Sequence, residues 1–458
     1  MPRLNRNIKL EATVISDGQC NILFRFAYSM GIRRRTLARL TFLIVVTCVL
    51  YGFYHGISGL RNTLSFSKKV PSKETLNSLS LGKDQCRNTF PELTKEIDDA
   101  VARGPFKLER EPDDYQGLVQ ARIKGGKLYI ISAGSRLSRD MLFIHRAIVT
   151  APEQLPDTVF AFSILDTIRQ NTWCFARSND PKIKGNYWVM PHFSFWSWPK
   201  SFIGTIDEAL SKTEVIEKEV PWPKKIDKVV WRGTAWFNSI GNTALRPNLL
   251  AATKDKAWAD VEVLQWETNA DSAKNAIRIE DFCKYKYIIY TEGVTYSGRL
   301  PFHQACASII ITTPPSYLMH NTHLMRPLFS SSLHLSQTSS DRKGTHSDAR
   351  WPKSYKASQA NVVFVDPEWK DLEQTIMWLR AHPAVAEGIA KRQRQMIAEA
   401  GYLSPASEVC YWRSLIKGWS QVADIDEGVW GKWDGQGIEN GEGIRWETFS
   451  LTGKANWD

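Results

Sequence analysis

Two stretches of the chain alternate strand-like and helix-like patterns, and this alternation limits the fold more than any other feature of the 458 residues. KLYIISAG (127–134) reads as a strand, RLSRDMLFIHRAIVT (136–150) as an amphipathic helix, and TVFAFSILD (158–166) as a second strand. Strand, helix, strand over 40 residues is a βαβ unit, which predicts a parallel sheet. A second set begins at KVVWRG (228–233) and continues through VEVLQW (261–266), YKYIIYTEG (285–293), SIIIT (308–312) and NVVFVD (361–366). Helical patterns such as GRLPFHQACA and DLEQTIMWLRAHP lie between these strands. The expected fold is therefore α/β, with two Rossmann-like domains and a ligand cleft between them. The first domain is placed at 85–225 and the second at 226–383. Helices over 384–423 are expected to cross back to the first. The acidic tail, 424–458, repeats Gly and Trp without a periodicity that predicts an element.

The segment Leu40–Leu60 is uncharged throughout and bracketed by Arg39 and Arg61. Its 21 residues suffice to span a hydrocarbon core of roughly 30 Å. Arg33, Arg34, Arg35 and Arg39 lie just before it, which orients a basic tail (1–39) to the cytosol. The expectation is a single-pass type II signal anchor (40–60), a polar Ser/Lys-rich stem (61–84) and a lumenal globular part. Golgi is the expected membrane, with the ER as the alternative. A cleaved signal peptide would not carry so long a basic region, and a buried core helix is the remaining alternative. The basic tail also explains most of the net charge of +11. Residues 1–40 hold eight basic and two acidic residues, +6 in all, which leaves +5 over the other 418. No basic stripe with interleaved aromatics is present, so nucleic acid is not an expected partner.

The stretch DFCKYKYIIYTEGVTYSGRLPFHQACASIIIT (281–312) carries the most chemistry. A strand ends at Thr291, a loop with Gly293 and Gly298 follows, and a helix starts near Arg299. Free N–H groups at a helix start favour a diphosphate, glycines let the backbone approach it, and an arginine adds a bidentate donor. Cys283 and Cys306 fall at the same end of this strand–helix unit, which allows either a disulfide or two buried thiols. The 18 tryptophans are read mainly as core residues, although indole also stacks on the C–H faces of sugar rings.

CKYKY followed by GVTYSGR, together with WRG (231–233) and R-P-x-L-L (246–250), resembles glycosyltransferase family 90. This family includes the protein O-glucosyltransferases and the fungal capsule-type xylosyltransferases. The resemblance covers about residues 110–415. It implies a B-type two-domain fold, inversion at the anomeric carbon and a UDP-sugar donor, UDP-xylose or UDP-glucose, serving as co-substrate. It further implies a glycan or glycoprotein acceptor, and neither a metal nor another cofactor. By position, Val294, Thr295, Tyr296, Ser297, Gly298 and Arg299 would form the diphosphate and nucleoside loop, and Thr234 and Arg246 would also touch UDP. The loop after Gly233, TAWFNSIGNTALR, is longer than in the animal O-glucosyltransferases, which implies a displaced Arg246. Cys283 with Cys306 and Cys86 with Cys410 match family disulfides, which leaves Cys174 as the odd thiol.

Inverting transfer needs one carboxylate within reach of the acceptor hydroxyl. Asp140, Asp157 and Asp166 are the candidates in the first domain. Asp140 sits in SRDML at a helix start, a position open to a cleft that also suits an ordinary dipole-compensating Asp. The resemblance selects Asp140 as the base and gives Asp166 a structural role. It also assigns Met190–Phe193 and Phe195–Trp198 to the acceptor side, with His192 as a possible supporting group. The one D-x-D sequence, Asp424-Ile425-Asp426, lies in the tail, and His320 and His323 are the nearest approach to zinc-ligand spacing. No metal site is expected. The alternative to an enzyme is a membrane-tethered sugar-binding pseudoenzyme that keeps the fold without turnover.

Overall fold

The computed structural model describes residues 70–112, 115–133, 140–236, 239–268, 271–333, 351, 354–431 and 443–452. The expected tail, anchor and residues 61–69 of the stem lie outside the described residues. Among the described residues, no helix is long and apolar enough to cross a membrane.

Two six-stranded sheets organise this part of the chain. The first contains β1 (Leu118–Lys124), β2 (Lys127–Ser132), β3 (Thr158–Ser163), β4 (Thr172–Cys174) and β5 (Tyr187–Val189). Helix α1 (Asp140–Val149) joins β2 to β3, as the βαβ pattern predicts. The sheet is nevertheless mixed rather than parallel. β1 lies between β2 and β3 and is antiparallel to both, while β3, β4 and β5 run parallel. β1 and β2 meet at Gly125-Gly126, both at positive φ (54° and 73°), the conformation of a two-residue hairpin turn. The sequence of β1, LVQARIK, hides it because Gln120 and Arg122 are buried polar residues. Gln120 Nε2 donates to Ser132 Oγ at 2.6 Å, and Arg122 pairs with Glu427 at 3.0 Å.

After α2 (Ile206–Glu219), the second sheet begins with β6 (Ile226–Gly233), α3 (Leu245–Thr253), β7 (Ala259–Val263), β8 (Tyr285–Ile289), α4 (Leu300–Gln304) and β9 (Ile309–Thr312). It ends with β10 (Pro327–Phe329) and β11 (Val362–Phe364), in the order β10-β11-β9-β8-β6-β7, all parallel. Every strand expected in this half is present; β10 is additional. Side chains alternate between two cores with the period of a strand. Val229, Trp231, Tyr287, Ile289, Ile309, Ile311 and Val363 face one core, while Val230, Ile288, Ile310, Val362 and Phe364 face the other. Burial on both faces is what a parallel sheet requires.

Helices α5 (Leu372–Ala381) and α6 (Pro383–Arg394) pack on the second sheet, and α7 (Pro405–Val422) crosses back to the first. Tyr411 Oη donates to Val189 O at 2.8 Å, and Trp419 Nε1 donates to Val159 O at 2.8 Å. The Cys86–Cys410 disulfide anchors α7 to the start of the globular part. That start is earlier than the expected stem boundary at 84. Lys73–Asn77 is helical, Leu81 is buried, and Arg413 donates to the carbonyls of Leu79 and Leu81. The tail also has a place. Ile444–Arg445 (β12) adds antiparallel to β2, followed by α8 (Trp446–Thr452), and buried Trp430 donates to Leu108 O. Among the described residues, only Trp196 and Trp236 are exposed tryptophans.

Candidate active site

β8 runs out of the buried sheet into Tyr290–Arg299, so this loop emerges at the carboxyl ends of the strands, where open α/β sheets bind ligands. It is tightly folded. Gly293 N donates to Tyr296 O at 2.9 Å, Ser297 N to Tyr290 Oη at 3.1 Å, and Leu300 N to Ser297 O at 3.2 Å. A side chain at Gly293 would place Cβ 2.9 Å from Tyr296 O. At Gly298 a Cβ would lie 2.5 Å from His192 Cε1 and 2.9 Å from Trp198 Cζ3. Both positions therefore need glycine for close approach rather than for positive φ. The helix that follows, α4, has only five residues, so any anion affinity here rests mainly on side-chain cations and loop N–H groups.

Two guanidiniums supply those cations. Arg246, on α3, is buried and donates from Nε to Glu292 O at 3.1 Å and from Nη1 to Thr234 O at 2.6 Å. Arg299 donates to the carbonyl of Arg232. Thr234 Oγ1 accepts from Trp266 Nε1 at 2.9 Å, and Ile240 N donates to Val294 O at 2.9 Å. The loop after Gly233 thus lies against the Tyr290–Arg299 loop, and Arg246 is held to it through the Glu292 carbonyl. Burial lowers the pKa of Arg246 to about 9, with Arg299 adding to the effect, and burial alone lowers Arg299 to about 10. Neither arginine has a carboxylate within ion-pairing distance among the described residues. Two such cations sharing a buried loop favour a bound anion.

The first sheet meets this loop through Asp166, just beyond β3. Its carboxylate accepts from Tyr296 Oη at 3.0 Å, and its carbonyl accepts from Thr295 Oγ1. Lost hydration raises the pKa of the Asp166 carboxyl, against the opposing hydrogen bond from Tyr296. His192 belongs to the same seam. Its Nδ1 accepts from Ser194 N at 3.1 Å, which leaves the proton on Nε2, and its ring lies 3.9 Å from Phe193 and 5.5 Å from Tyr296. Met190 and Phe195 are core residues, whereas Trp196 is 44% exposed and packs edge-on against Phe143.

Of the three candidate bases, Asp157 accepts from Gly125 N at 2.8 Å and thereby braces the β1–β2 turn. Asp140 is the first residue of α1. It is completely buried, not open to a cleft as a helix-start Asp was expected to be. Helix α7 packs across α1, where Trp412 stacks on Phe143 at 6.5 Å. The same packing brings up a group with no local sequence signal, Glu408, which pairs with Arg146 at 2.5 Å.

The other metal-type residues have structural occupations. Asp426 Oδ1 caps the short helix Glu427–Trp430 by accepting from Gly428 N, and Asp424 pairs with Lys107 in a short parallel bridge. His323 Nε2 contacts Glu92 O, and His320 is buried, which lowers its pKa to about 3. Glu217, Cys283 and Cys306 cluster, but the cysteines form a disulfide and Glu217 pairs with Lys225 at 2.9 Å. Among the described residues, Cys174 is the free, buried thiol. An open groove of about 800 Å³ lies elsewhere, beside Arg103, Arg177, Asn179 and Tyr187.

Buried Arg246, half-buried Arg299 and a close-packed glycine loop thus lie at the carboxyl ends of a parallel sheet, an arrangement that suits an anion. The sequence model of Glycosyl transferase family 90 matches residues 86–330, more than half the chain, and the chain belongs to that family. Protein O-glucosyltransferase 1 of Rattus norvegicus is 22% identical over 246 residues, 51% of this chain and 53% of that protein. O-glucosyltransferase rumi of Drosophila melanogaster is 24% identical over 242 residues, 50% of each chain. The chain spans about half the length of the curated relatives it matches.

Proposed function

We propose that this protein is an inverting, metal-independent glycosyltransferase that moves xylose or glucose from a UDP-sugar to a hydroxyl of a glycan or protein. The names of the relatives favour glucose and a protein acceptor. The observation that carries the reading is a pair of arginines, buried Arg246 on α3 and half-buried Arg299, at a loop folded around two glycines that tolerate no side chain. In this reading the two sheets are the halves of a B-type fold. Arg299 and Arg246 neutralise the diphosphate, each charged hydrogen bond contributing about 1.5–3 kcal/mol. Val294, Thr295, Tyr296, Ser297 and Gly298 shape the nucleoside and phosphate pocket, with Thr234 at its edge. Asp140 is the base. As the acceptor oxygen bonds to the anomeric carbon, the bond from that carbon to the diphosphate breaks, its electron pair leaves with UDP, and the acceptor proton passes to Asp140. The arginines act on the charge that develops on the leaving group, so no metal is needed in this scheme.

The membrane part of the proposal is a type II anchor over Leu40–Leu60 with the globular part in the Golgi or ER lumen. The two disulfides accord with an oxidising compartment. One observation favours the second reading, a sugar-binding pseudoenzyme: the complete burial of Asp140. UDP release by the full-length protein in detergent, screened across UDP-sugars with EDTA present, tests both. Release from one donor supports the transferase and names the sugar. UDP binding without release from any donor, with glycan and protein acceptors supplied, would leave the pseudoenzyme.

A further inference from the structure

The open groove of about 800 Å³ is within the size range of ligand sites. Its lining comes from Arg103, from Gln170 and Asn171, and from residues between Arg177 and Tyr187, where the chain runs into edge strand β5. Four side-chain amides face one groove here, Gln170, Asn171, Asn179 and Asn186, each able to donate and to accept. The Asn186 amide is half-buried and has no hydrogen-bond partner among the described residues. Two cations are fixed beside the amides. Arg103 Nη2 donates to the Tyr187 carbonyl, and Arg177 is held by buried Glu96, with Nε to Oε2 at 2.5 Å. Among the described residues, neither Arg103 nor Lys184 has a carboxylate within ion-pairing distance. Apolar groups are few: Pro181, Ile183 and the Tyr187 ring.

The groove leads to the Tyr290–Arg299 loop by two routes. Arg177–Ser178 pairs antiparallel with Tyr317–Leu318, and Tyr317 N donates to Glu292 Oε1 at 2.8 Å. Gln170 follows Asp166 by four residues, so its Cα lies within about 15 Å of the Cα of a residue bonded to Thr295 and Tyr296.

We propose that this groove binds a carbohydrate chain of the acceptor, so that the acceptor is a glycan. The inference rests on the transferase reading and names its acceptor class. Amides and a guanidinium each offer several hydrogen-bonding atoms to neighbouring hydroxyls, and the Tyr187 ring offers a face to C–H groups. Such a lining suits a hydroxyl-rich chain and gives the apolar anchors of a peptide no deep pocket. Nor can a peptide readily extend the sheet at β5. The carbonyls of Tyr187 and Val189 on that edge already accept from Arg103 and from Tyr411 Oη.

The test is calorimetry on the full-length protein in detergent, with xylan-, mannan- and cellulose-derived oligosaccharides of increasing length and serine peptides as the contrast. At least one oligosaccharide series should bind, with an affinity that rises with chain length as successive rings enter the groove. Gln170→Ala combined with Asn186→Ala should weaken that binding about 5- to 150-fold, the loss expected for one hydrogen bond at each amide. UDP affinity and the melting temperature should stay unchanged, because neither side chain belongs to the core or to the Tyr290–Arg299 loop. No binding by any series at millimolar concentration, binding that the double variant leaves intact, or groove-dependent binding of the peptides alone would each overturn the proposal. Groove-dependent oligosaccharide binding without UDP release from any donor would instead overturn the transferase reading and leave the groove as a carbohydrate site.

Discussion

Gly298→Ala is the sharpest perturbation of the donor loop. The added methyl would sit 2.5 Å from His192 Cε1, 2.7 Å from Nε2 and 2.9 Å from Trp198 Cζ3. Carbon contacts prefer about 3.5–4.0 Å, so about 1 Å must be found. The His192 ring has no room to withdraw: it is 2% exposed, tied to Ser194 N and packed on Phe193 and Phe175. The loop must therefore move instead, at the usual overpacking cost of about 1–3 kcal/mol. Arg299 is the next residue, so the same displacement moves its guanidinium off the proposed diphosphate site. UDP affinity, measured by calorimetry on the full-length protein, should fall about 5- to 150-fold, with a lower melting temperature. His192→Ala removes the obstruction, and the double variant should regain part of the loss, with a coupling of about 0.5–3 kcal/mol. Unchanged UDP affinity in Gly298→Ala, or a double variant that is simply additive, would refute the steric argument.

Asp140→Asn should abolish transfer and leave UDP binding within about twofold, because the base acts on the acceptor and not on the nucleotide; retained turnover would move the base elsewhere. Arg299→Ala should weaken UDP binding by about 1.5–3 kcal/mol, and unchanged affinity would remove it from the diphosphate. The disulfides should contribute unequally in denaturant titrations. By the loop-closure relation, the Cys86–Cys410 bridge, spanning 324 residues, stabilises by about 6 kcal/mol, against about 3 kcal/mol for Cys283–Cys306, spanning 23. Equal losses in the two Cys→Ser pairs would contradict that ordering. Alkylation of the native protein should spare Cys174, because burial pushes its thiol up to about 12; rapid labelling would mean that β4 opens.

What was readable in the residues themselves is local chemistry and period. The strands of the second sheet announce themselves because a parallel strand buried on both faces is a continuous apolar run, as in YKYIIY and SIIIT. The donor loop is legible for a similar reason: glycines and an arginine between a strand and a helix occupy one short segment. Strand β1 escaped notice because its buried Gln120 and Arg122 are satisfied by Ser132 and by Glu427, 305 residues further along. The tail reads as featureless because Ala423–Asp424, Trp430 and Ile444–Arg445 find strand and hydrogen-bond partners among residues 106–130, more than 300 positions earlier. The environment of Asp140 is the clearest case. Its residue type and helix-start position can be read from SRDML, but not its complete burial, and the Glu408–Arg146 pair on the same helix arises only when α7 returns across α1. Sequence specifies such a group's identity, whereas its charge state depends on desolvation and on neighbours that only the folded chain brings within a few ångströms.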